Sequence, residues 1–278
     1  MATHRTRTRA FRGSFFREAK AYSDLGRIDT AQGVIVRAWV LLLTVALATS
    51  ALPVGLSEPG SGRGVDKRVY DEDGRLVWEF GRESDKLRFA THYTHRPGHT
   101  GGATPMTDCA STAYKVAAWR WTAPFSAKAS SHAELFDAAA ATWDNGTGTA
   151  ISGGVTAGSD GVAGVQDFKS QFDFVDLGAS STIAVTTTWY YTASGDAVES
   201  DGRYNTYYAW ATDGSGGAMD VLNIATHEIG HTFGLDHPRG QPAKISCLTM
   251  YAYGSLGETA KRTLGDGDLL GIRAIYGA

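Results

Sequence analysis

The stretch from Asp220 to His237, DVLNIATHEIGHTFGLDH, constrains the fold of this 278-residue chain more than any other. His227 and His231 are four positions apart, so on an α-helix they lie one turn apart on the same face. An adjacent apolar row would bury this helix against a core, and it consists of Val221, Ala225 and Ile229. We therefore predict a buried helix over about Asp220 to Phe233 that carries both histidines on one face.

The same stretch holds a spaced set of metal-ligating side chains. His227 and His231 can bind one ion with two imidazoles, and Gly234 can take a positive φ that turns the chain so that His237 returns as a third ligand. Three protein ligands leave one position open on a tetrahedral ion, which is typical of a catalytic zinc site rather than a structural one. Glu228 adjoins the first ligand, where a carboxylate can accept a proton from metal-bound water. The alternative, histidines that only fill a core, explains none of this spacing.

These residues resemble the long zinc motif of the metzincin metallopeptidases, and Met250 in CLTMYAYG resembles their Met-turn. The resemblance implies an α+β catalytic domain: a twisted, mostly parallel five-stranded sheet with an active-site helix and a C-terminal helix. It also implies a zinc-dependent endopeptidase in which zinc-activated water attacks the peptide bond, Glu228 is the general base, and Met250 lies beneath the metal. The implied zinc ligands are His227, His231 and His237.

Within this group the motifs point in two directions. The pair Met250-Tyr251 and the closing segment LGDGDLLGIRAIYG look like the matrixins, whereas Pro238, directly after the third histidine, looks like the serralysins. The glycine-rich calcium repeats of the serralysins are absent from the sequence, so the resemblance is matrixin-like with a serralysin-like proline. The alternative function is a zinc-binding, non-catalytic homologue, and the intact Glu228 argues against it.

The first 51 residues differ from the rest in charge. Residues 1–37 hold 8 Lys and Arg against 3 Asp and Glu, which leaves 18 basic and 26 acidic residues for the remainder. The uncharged stretch 38–52, AWVLLLTVALATSAL, is short for a membrane span, and the small residues near its end offer signal-peptidase sites. We expect a basic leader with a signal peptide over 1–51, and hence a secreted protein. If the leader is uncleaved, the alternative is a membrane-anchored protease with an extracellular catalytic domain.

Charge and motif together also define the expected partners. The acidic remainder lacks the clustered basic surface of a nucleic-acid-binding protein, so we expect no nucleic acid. Protein or peptide substrates follow from the resemblance. We expect a monomer, with membrane contact only if the leader is retained.

Residues 52–104 are expected to form a spacer or pro-segment that contains one small β-hairpin. The hairpin signal is RVYDEDGRLVWEF, in which apolar residues alternate around Asp73-Gly74. Further along, HYTHRPGH holds His92, His95 and His99, a spacing that could bind a metal. Without a scaffold a histidine cluster is weak evidence, and the sequence favours a polar loop there.

The catalytic domain is expected over 105–278, with a strand in YKVAAWRW from Tyr114. A capping box, Ser131 to Glu134, predicts an Ala-rich helix that reaches about Trp143 and stops at Asn145-Gly146-Thr147. The remaining predicted elements are strands over Thr182–Tyr191 and Ala197–Trp210 and helices over Asp220–Phe233 and Asp266–Tyr276. The extended segment Tyr204–Trp210 is either near a peptide-binding edge or an interior strand.

Two further features concern the cysteines and the acidic residues. In an exported chain the two cysteines, Cys109 and Cys247, most simply form one disulfide. The alternative is an inhibitory Cys109 thiolate on zinc. A calcium loop could form from Asp213, Asp220 and the glycines between them. Helix-capping and turn roles explain the same residues.

Overall fold

The computed structural model describes residues 64–96 and 109–277. In these residues the strands are β1 Gly64–Tyr70, β2 Leu76–Arg82, β3 Leu87–His95, β4 Lys115–Val116, β5 Phe125–Ala129, β6 Ser152–Ala157, β7 Gln171–Val175, β8 Thr182–Tyr191, β9 Ala197–Asn205, β10 Trp210–Ala211, β11 Met219–Asp220 and β12 Leu235–Asp236. The helices are α1 Ala133–Thr147, α2 Val221–Thr232, α3 Pro242–Ile245 and α4 Asp266–Tyr276, with a short 3₁₀ turn at Ala260–Arg262.

The main sheet has eight strands in the order β1-β2-β3-β8-β9-β7-β5-β6. Strands β6, β5, β7 and β9 run parallel to one another, and β8 is antiparallel to β9. These five strands form the mostly parallel sheet that the resemblance implies. Strands β1, β2 and β3 continue it beyond β8 as an antiparallel unit. The α+β fold class is confirmed, with three more strands in the sheet than expected.

The main core lies between the sheet and helices α1 and α2. Phe136 of α1 stacks on Phe172 of β7 with ring centroids 5.0 Å apart. Trp143, also on α1, is fully buried, and its Nε1 donates to the Thr226 carbonyl of α2 at 2.8 Å. Helix α2 contacts α1 on one side and β8 on the other, so the helix with the histidines is held on a rigid platform.

Helix α1 corrects two of the predictions. Its N-cap is His132 in a left-handed conformation, φ 54°, with no side-chain cap bond, so the predicted capping box at Ser131 does not form. The helix also continues past Trp143 to Thr147, because Gly146 faces Leu264 and Leu269 inside the core, where a side chain would not fit. Gly148, with φ 70°, ends the helix instead.

The strand predictions are also corrected in part. YKVAAWRW contributes only Lys115–Val116 as a strand, and this pairs with Leu235–Asp236 outside the main sheet. Strand β9 ends at Asn205 and lies between β8 and β7, with Tyr204 fully buried. The segment near Tyr204 is therefore interior and not a peptide-binding edge.

His92 and His95 lie on β3, where both are buried, and not in the polar loop that the sequence favours. The reason is long-range pairing, because β3 is bonded along β8, a strand about ninety residues further along the chain. His99 and the leader 1–51 lie outside the described residues. Among the described residues, no helix is long and apolar enough to cross a membrane.

The disulfide joins Cys109 to Cys247, with Cα atoms 5.5 Å apart. It attaches the start of the second described segment to the loop just before Met250. The alternative, a free Cys109 thiolate on zinc, is not what the structure shows.

Candidate metal centre

Helix α2 begins with a side-chain cap. Asp220 Oδ1 accepts the Asn223 amide at 2.9 Å, which satisfies one of the free N–H groups of the first turn. The helix ends at Phe233, and Gly234 follows with φ 95°. A side chain at Gly234 would meet the Trp119 carbonyl oxygen at 2.6 Å, so both the conformation and the close approach require glycine. This turn brings the chain back toward α2 and places His237 beside it.

Three imidazoles converge at one point. The Nε2 atoms of His227, His231 and His237 are separated by 3.1 Å, 3.2 Å and 3.0 Å. No other group of three or more metal-ligating side chains is this close among the residues that the structure describes. His227 and His231 are fully buried, and His237 is partly exposed. The helical spacing and the glycine turn therefore bring together the three histidines that the sequence singles out.

The orientation of two rings is fixed from behind. His227 Nδ1 donates to the Thr249 carbonyl at 2.6 Å, and His231 Nδ1 donates to the Leu235 carbonyl at 2.8 Å. With the proton on Nδ1, each Nε2 presents its lone pair to the common point. Burial lowers the pKa of all three histidines well below the ordinary value, so the rings are neutral at neutral pH. Neutral imidazole is the form that binds a metal.

This donor set fits zinc. Zn–N bonds of about 2.0–2.1 Å at tetrahedral angles separate the nitrogens by roughly 3.3 Å, close to the observed 3.0–3.2 Å. The three lone pairs face one another with no hydrogen-bond donor between them. A cation at their centre would account for this arrangement. Imidazole ligands without thiolates or carboxylates suit zinc among the abundant divalent ions.

Glu228 follows the first histidine on α2 and lies against the sheet. Its Oε2 accepts a hydrogen bond from Thr186 of β8 at 2.6 Å, whereas Oε1 has no hydrogen-bond partner. Burial raises the pKa of Glu228 to about 7, although the hydroxyls of Thr186 and Thr94 and the charge of Lys261 oppose the shift. The carboxylate is fully buried in this structure.

Met250 lies under this helix, in the main core. It is 2% exposed and belongs to the same apolar cluster as Trp143 and Ile229. Gly230 makes the approach possible, because a Cβ there would overlap Met250 Sδ and lie 2.6 Å from Trp143. The position of Met250 fits an apolar floor beneath the histidines, and it equally fits ordinary core filling.

Two residues that sequence reasoning missed hold the segment around Met250. Asp268 of α4 accepts the Thr249 amide at 2.8 Å and the Met250 amide at 3.1 Å. Lys261 is buried, and its Nζ donates to the Thr249 carbonyl at 2.9 Å and also to the Tyr251 carbonyl. The Thr249 carbonyl also accepts a hydrogen bond from the candidate ligand His227. Lys261 and His227 therefore share one acceptor. Neither residue has a local motif that would have revealed it.

A third missed residue is His92, which covers the histidine triad. Its ring stacks on His231 with centroids 4.1 Å apart, and its Nε2 lies 3.4 Å from Asp236 Oδ1. Asp236 also forms an ion pair with Lys115. Burial alone would raise the pKa of Asp236, but the contacts with His92, His237 and Lys115 hold it below the ordinary value. The only sequence signal was the histidine cluster itself.

Capping and turn roles, the alternative to a calcium loop, are what the structure shows for Asp213 and Asp220. Asp220 is occupied by its capping role and by an ion pair with Arg262, whose Nε donates at 2.9 Å. Asp213 accepts hydrogen bonds from Ser215, two residues away. The capping and turn roles account for both carboxylates.

Comparison with known proteins agrees with this geometry. Residues 166–277 match the model of the matrixin family. A segment of 68 residues, 24% of this chain, is 35% identical to 12% of karilysin from Tannerella forsythia. A segment of 61 residues, 22% of this chain, is 39% identical to 10% of matrix metalloproteinase-C from Caenorhabditis elegans. The chain thus spans about a tenth of the length of the curated relatives it matches. The family match over residues 166–277 and the three converging histidines within it together support the resemblance to the matrixin-like metzincins.

Proposed function

We propose that this chain is a secreted zinc-dependent endopeptidase that hydrolyses protein or peptide substrates. The observation that carries the proposal is the convergence of three neutral imidazoles, with Glu228 beside them on the same helix. His227, His231 and His237 would hold the ion and leave one coordination position open. The matrixin match supports the same class of activity.

Bound here, zinc would act as a Lewis acid on the scissile carbonyl and lower the pKa of a water molecule to near 7. Glu228 would accept a proton from the attacking water and pass it to the leaving amine. Its carboxylate is positioned for this by Thr186, which holds Oε2 and leaves Oε1 without a hydrogen-bond partner. Met250 and Trp143 would keep the ligand helix at a fixed distance from the core.

The test is Glu228→Gln, which keeps the side-chain shape and the hydrogen bond from Thr186 while removing the base. The variant should retain one zinc per chain, measured by elemental mass spectrometry. Hydrolysis of a fluorogenic peptide library should fall about 10²- to 10⁴-fold, the usual contribution of general acid–base catalysis. Because Glu228 is buried in this structure, rates are measured before and after limited digestion with trypsin.

The matched control is Glu134→Gln, at an exposed position in the first turn of α1. It should hydrolyse peptides at the rate of the unchanged chain. Full activity in Glu228→Gln would refute the role of Glu228. Zinc binding without hydrolysis under any condition would instead favour a non-catalytic zinc-binding module.

Secretion as a monomer completes the proposal. A single disulfide is typical of an oxidising compartment, and the uncharged stretch 38–52 is short for a membrane span. N-terminal sequencing of the exported protein tests this, and a mature N-terminus near residue 48 or 51 is expected. An intact leader in the membrane fraction would favour the membrane-anchored alternative.

A further inference from the structure

Lys261 is a buried cation on the short 3₁₀ turn before α4, where it is only 1% exposed. Its Nζ donates to two main-chain carbonyls, those of Thr249 and Tyr251, and no carboxylate of the described residues forms an ion pair with it. Burial lowers the pKa of this amine, and three more distant negative charges oppose the shift: Glu258, Asp268 and Glu228. Burying a charge without an opposite charge in contact is costly, so a lysine here needs an explanation beyond packing.

The turn that carries Lys261 is attached to α2 without the lysine side chain. The Lys261 amide donates to Asn223 Oδ1 at 2.7 Å, and Arg262 forms an ion pair with Asp220 at the start of α2. An apolar side chain of similar length, such as methionine, would keep both contacts, and such replacements of buried charges are often tolerated. The attachment of the turn therefore does not account for the ammonium group.

The position of the ammonium group does account for it, because it lies directly behind the first candidate ligand. Lys261 Nζ donates at 2.9 Å and His227 Nδ1 donates at 2.6 Å to the same oxygen, the Thr249 carbonyl. A charged donor draws electron density from this oxygen, so its second lone pair accepts more weakly from His227. A weaker hydrogen bond at Nδ1 makes Nε2 a poorer donor to an ion. The positive charge also repels a cation at the histidine site, and burial leaves this repulsion poorly screened.

We propose that Lys261 is a positioning residue that sets how strongly the three histidines hold zinc. It fixes the Thr249 carbonyl behind His227, lowers the affinity of the site for the ion, and so increases the Lewis acidity that the ion supplies when bound. This inference rests on the proposed function. It assigns to the reaction a residue that is 34 positions away from His227 in the sequence and outside the zinc motif.

The competing interpretation gives Lys261 a structural role only. In that case the lysine does no more than hold the Thr249 and Tyr251 carbonyls in place, and its removal loosens the ring of His227. Loss of such an outer contact weakens metal binding by roughly 10- to 100-fold. The two interpretations therefore predict opposite signs for the change in zinc affinity.

The first experiment measures zinc affinity in the full-length chain. Metal-free proteins compete with a chromophoric chelator for Zn²⁺, and circular dichroism verifies that each variant is folded. Lys261→Met should bind Zn²⁺ about tenfold more tightly than the unchanged chain, whereas Lys261→Arg, which keeps the charge and the donors, should bind like it. The matched control is Lys244→Met at an exposed position of α3, where solvent screens the charge, and it should leave the affinity unchanged. Equal or weaker binding by folded Lys261→Met would overturn the inference.

A second variant and a second measurement keep the inference testable if Lys261→Met does not fold. Lys261→Gln removes the charge but keeps an N–H donor, and it should also bind Zn²⁺ more tightly than the unchanged chain. In proton NMR spectra of metal-free protein, the Nδ1 proton of His227 should move downfield in either variant, because the Thr249 carbonyl then accepts a stronger hydrogen bond from the ring. An unmoved resonance would show that Lys261 does not weaken this hydrogen bond, and the inference would fail.

Comparing affinity with hydrolysis separates this inference from the proposed function. In an active enzyme, Lys261→Met should lower kcat about tenfold and leave KM unchanged, because weaker Lewis acidity affects the chemical step. Tighter zinc binding by Lys261→Met without hydrolysis by any of the proteins would refute the endopeptidase and retain the role of Lys261 at the metal site. Hydrolysis by the unchanged chain with equal zinc affinity in Lys261→Met would refute the role of Lys261 and retain the endopeptidase.

Discussion

Gly230 lies on α2 between the glutamate and the second histidine of the motif, and Met250 and Trp143 fill the space where its side chain would be. The zinc motif allows any residue at position 230, but the close contact with Met250 requires glycine there. At this scale the closeness of His227 and His231 follows from helical spacing, which is local and could be predicted. Asp268, Lys261 and His92 come from distant segments, and their roles depend on tertiary contacts that no local pattern encodes.

Gly230→Ala should lower the free energy of unfolding by about 1–3 kcal/mol, because overpacking a well-filled core forces neighbours to move. Urea denaturation followed by tryptophan fluorescence measures it. The matched control is Gly217→Ala, where a Cβ meets nothing within 4 Å. If the two variants are equally stable, the close packing of α2 on Met250 is not a constraint.

At the scale of elements, the positions of the strands and helices near the motif could be predicted. Which strands pair with one another could not. Helix α2, helix α4 and strand β8 lie close to the predicted ranges, because apolar periodicity and β-branched runs are local signals. The pairing of β3 with β8 joins segments about ninety residues apart. Because no local pattern shows this pairing, the sequence around His92 and His95 favours a polar loop instead of a strand. The predicted capping box of α1 failed because the chain enters that helix through a left-handed His132.

Strand β9 also anchors the loop 164–171 through two buried carboxylates. Asp201 accepts the Gly164 amide at 2.7 Å and the Gln171 amide at 2.9 Å, and Glu199 accepts the Asp167 amide at 2.9 Å. Burial raises the pKa of Glu199 to about 7 and that of Asp201 to about 8, and the charge of Glu199 raises the pKa of Asp201 further.

Both folded pKa values exceed the ordinary carboxyl values near 4, so the folded state binds these protons more tightly than the unfolded chain does. The resulting stability is present at acidic pH and is lost as pH rises through about 7 and 8. The melting temperature should therefore fall between about pH 5 and pH 9, and it should fall less in Glu199→Gln/Asp201→Asn. Asp176→Asn, at an exposed position, should melt like the unchanged chain at each pH. A melting temperature that rises over this range would contradict the assignment.

At the scale of the whole molecule, the disulfide connects segments 138 residues apart in the sequence. Closing so long a loop restricts the unfolded chain strongly. Replacing both cysteines, Cys109→Ser and Cys247→Ser, should reduce the free energy of unfolding by about 2–5 kcal/mol. The urea midpoint measures the loss, with the neighbouring exposed substitution Ala110→Ser as control. An unchanged midpoint would show that the bridge adds no stability.

The molecule as a whole holds a zinc-type histidine site beside a helix that packs between α1 and the main sheet. The most direct measurement compares peptide hydrolysis by the zinc-loaded unchanged chain with hydrolysis by zinc-loaded Glu228→Gln. The account predicts that Glu228→Gln loses hydrolysis while one zinc per chain remains bound. Equal hydrolysis by the two proteins would contradict it.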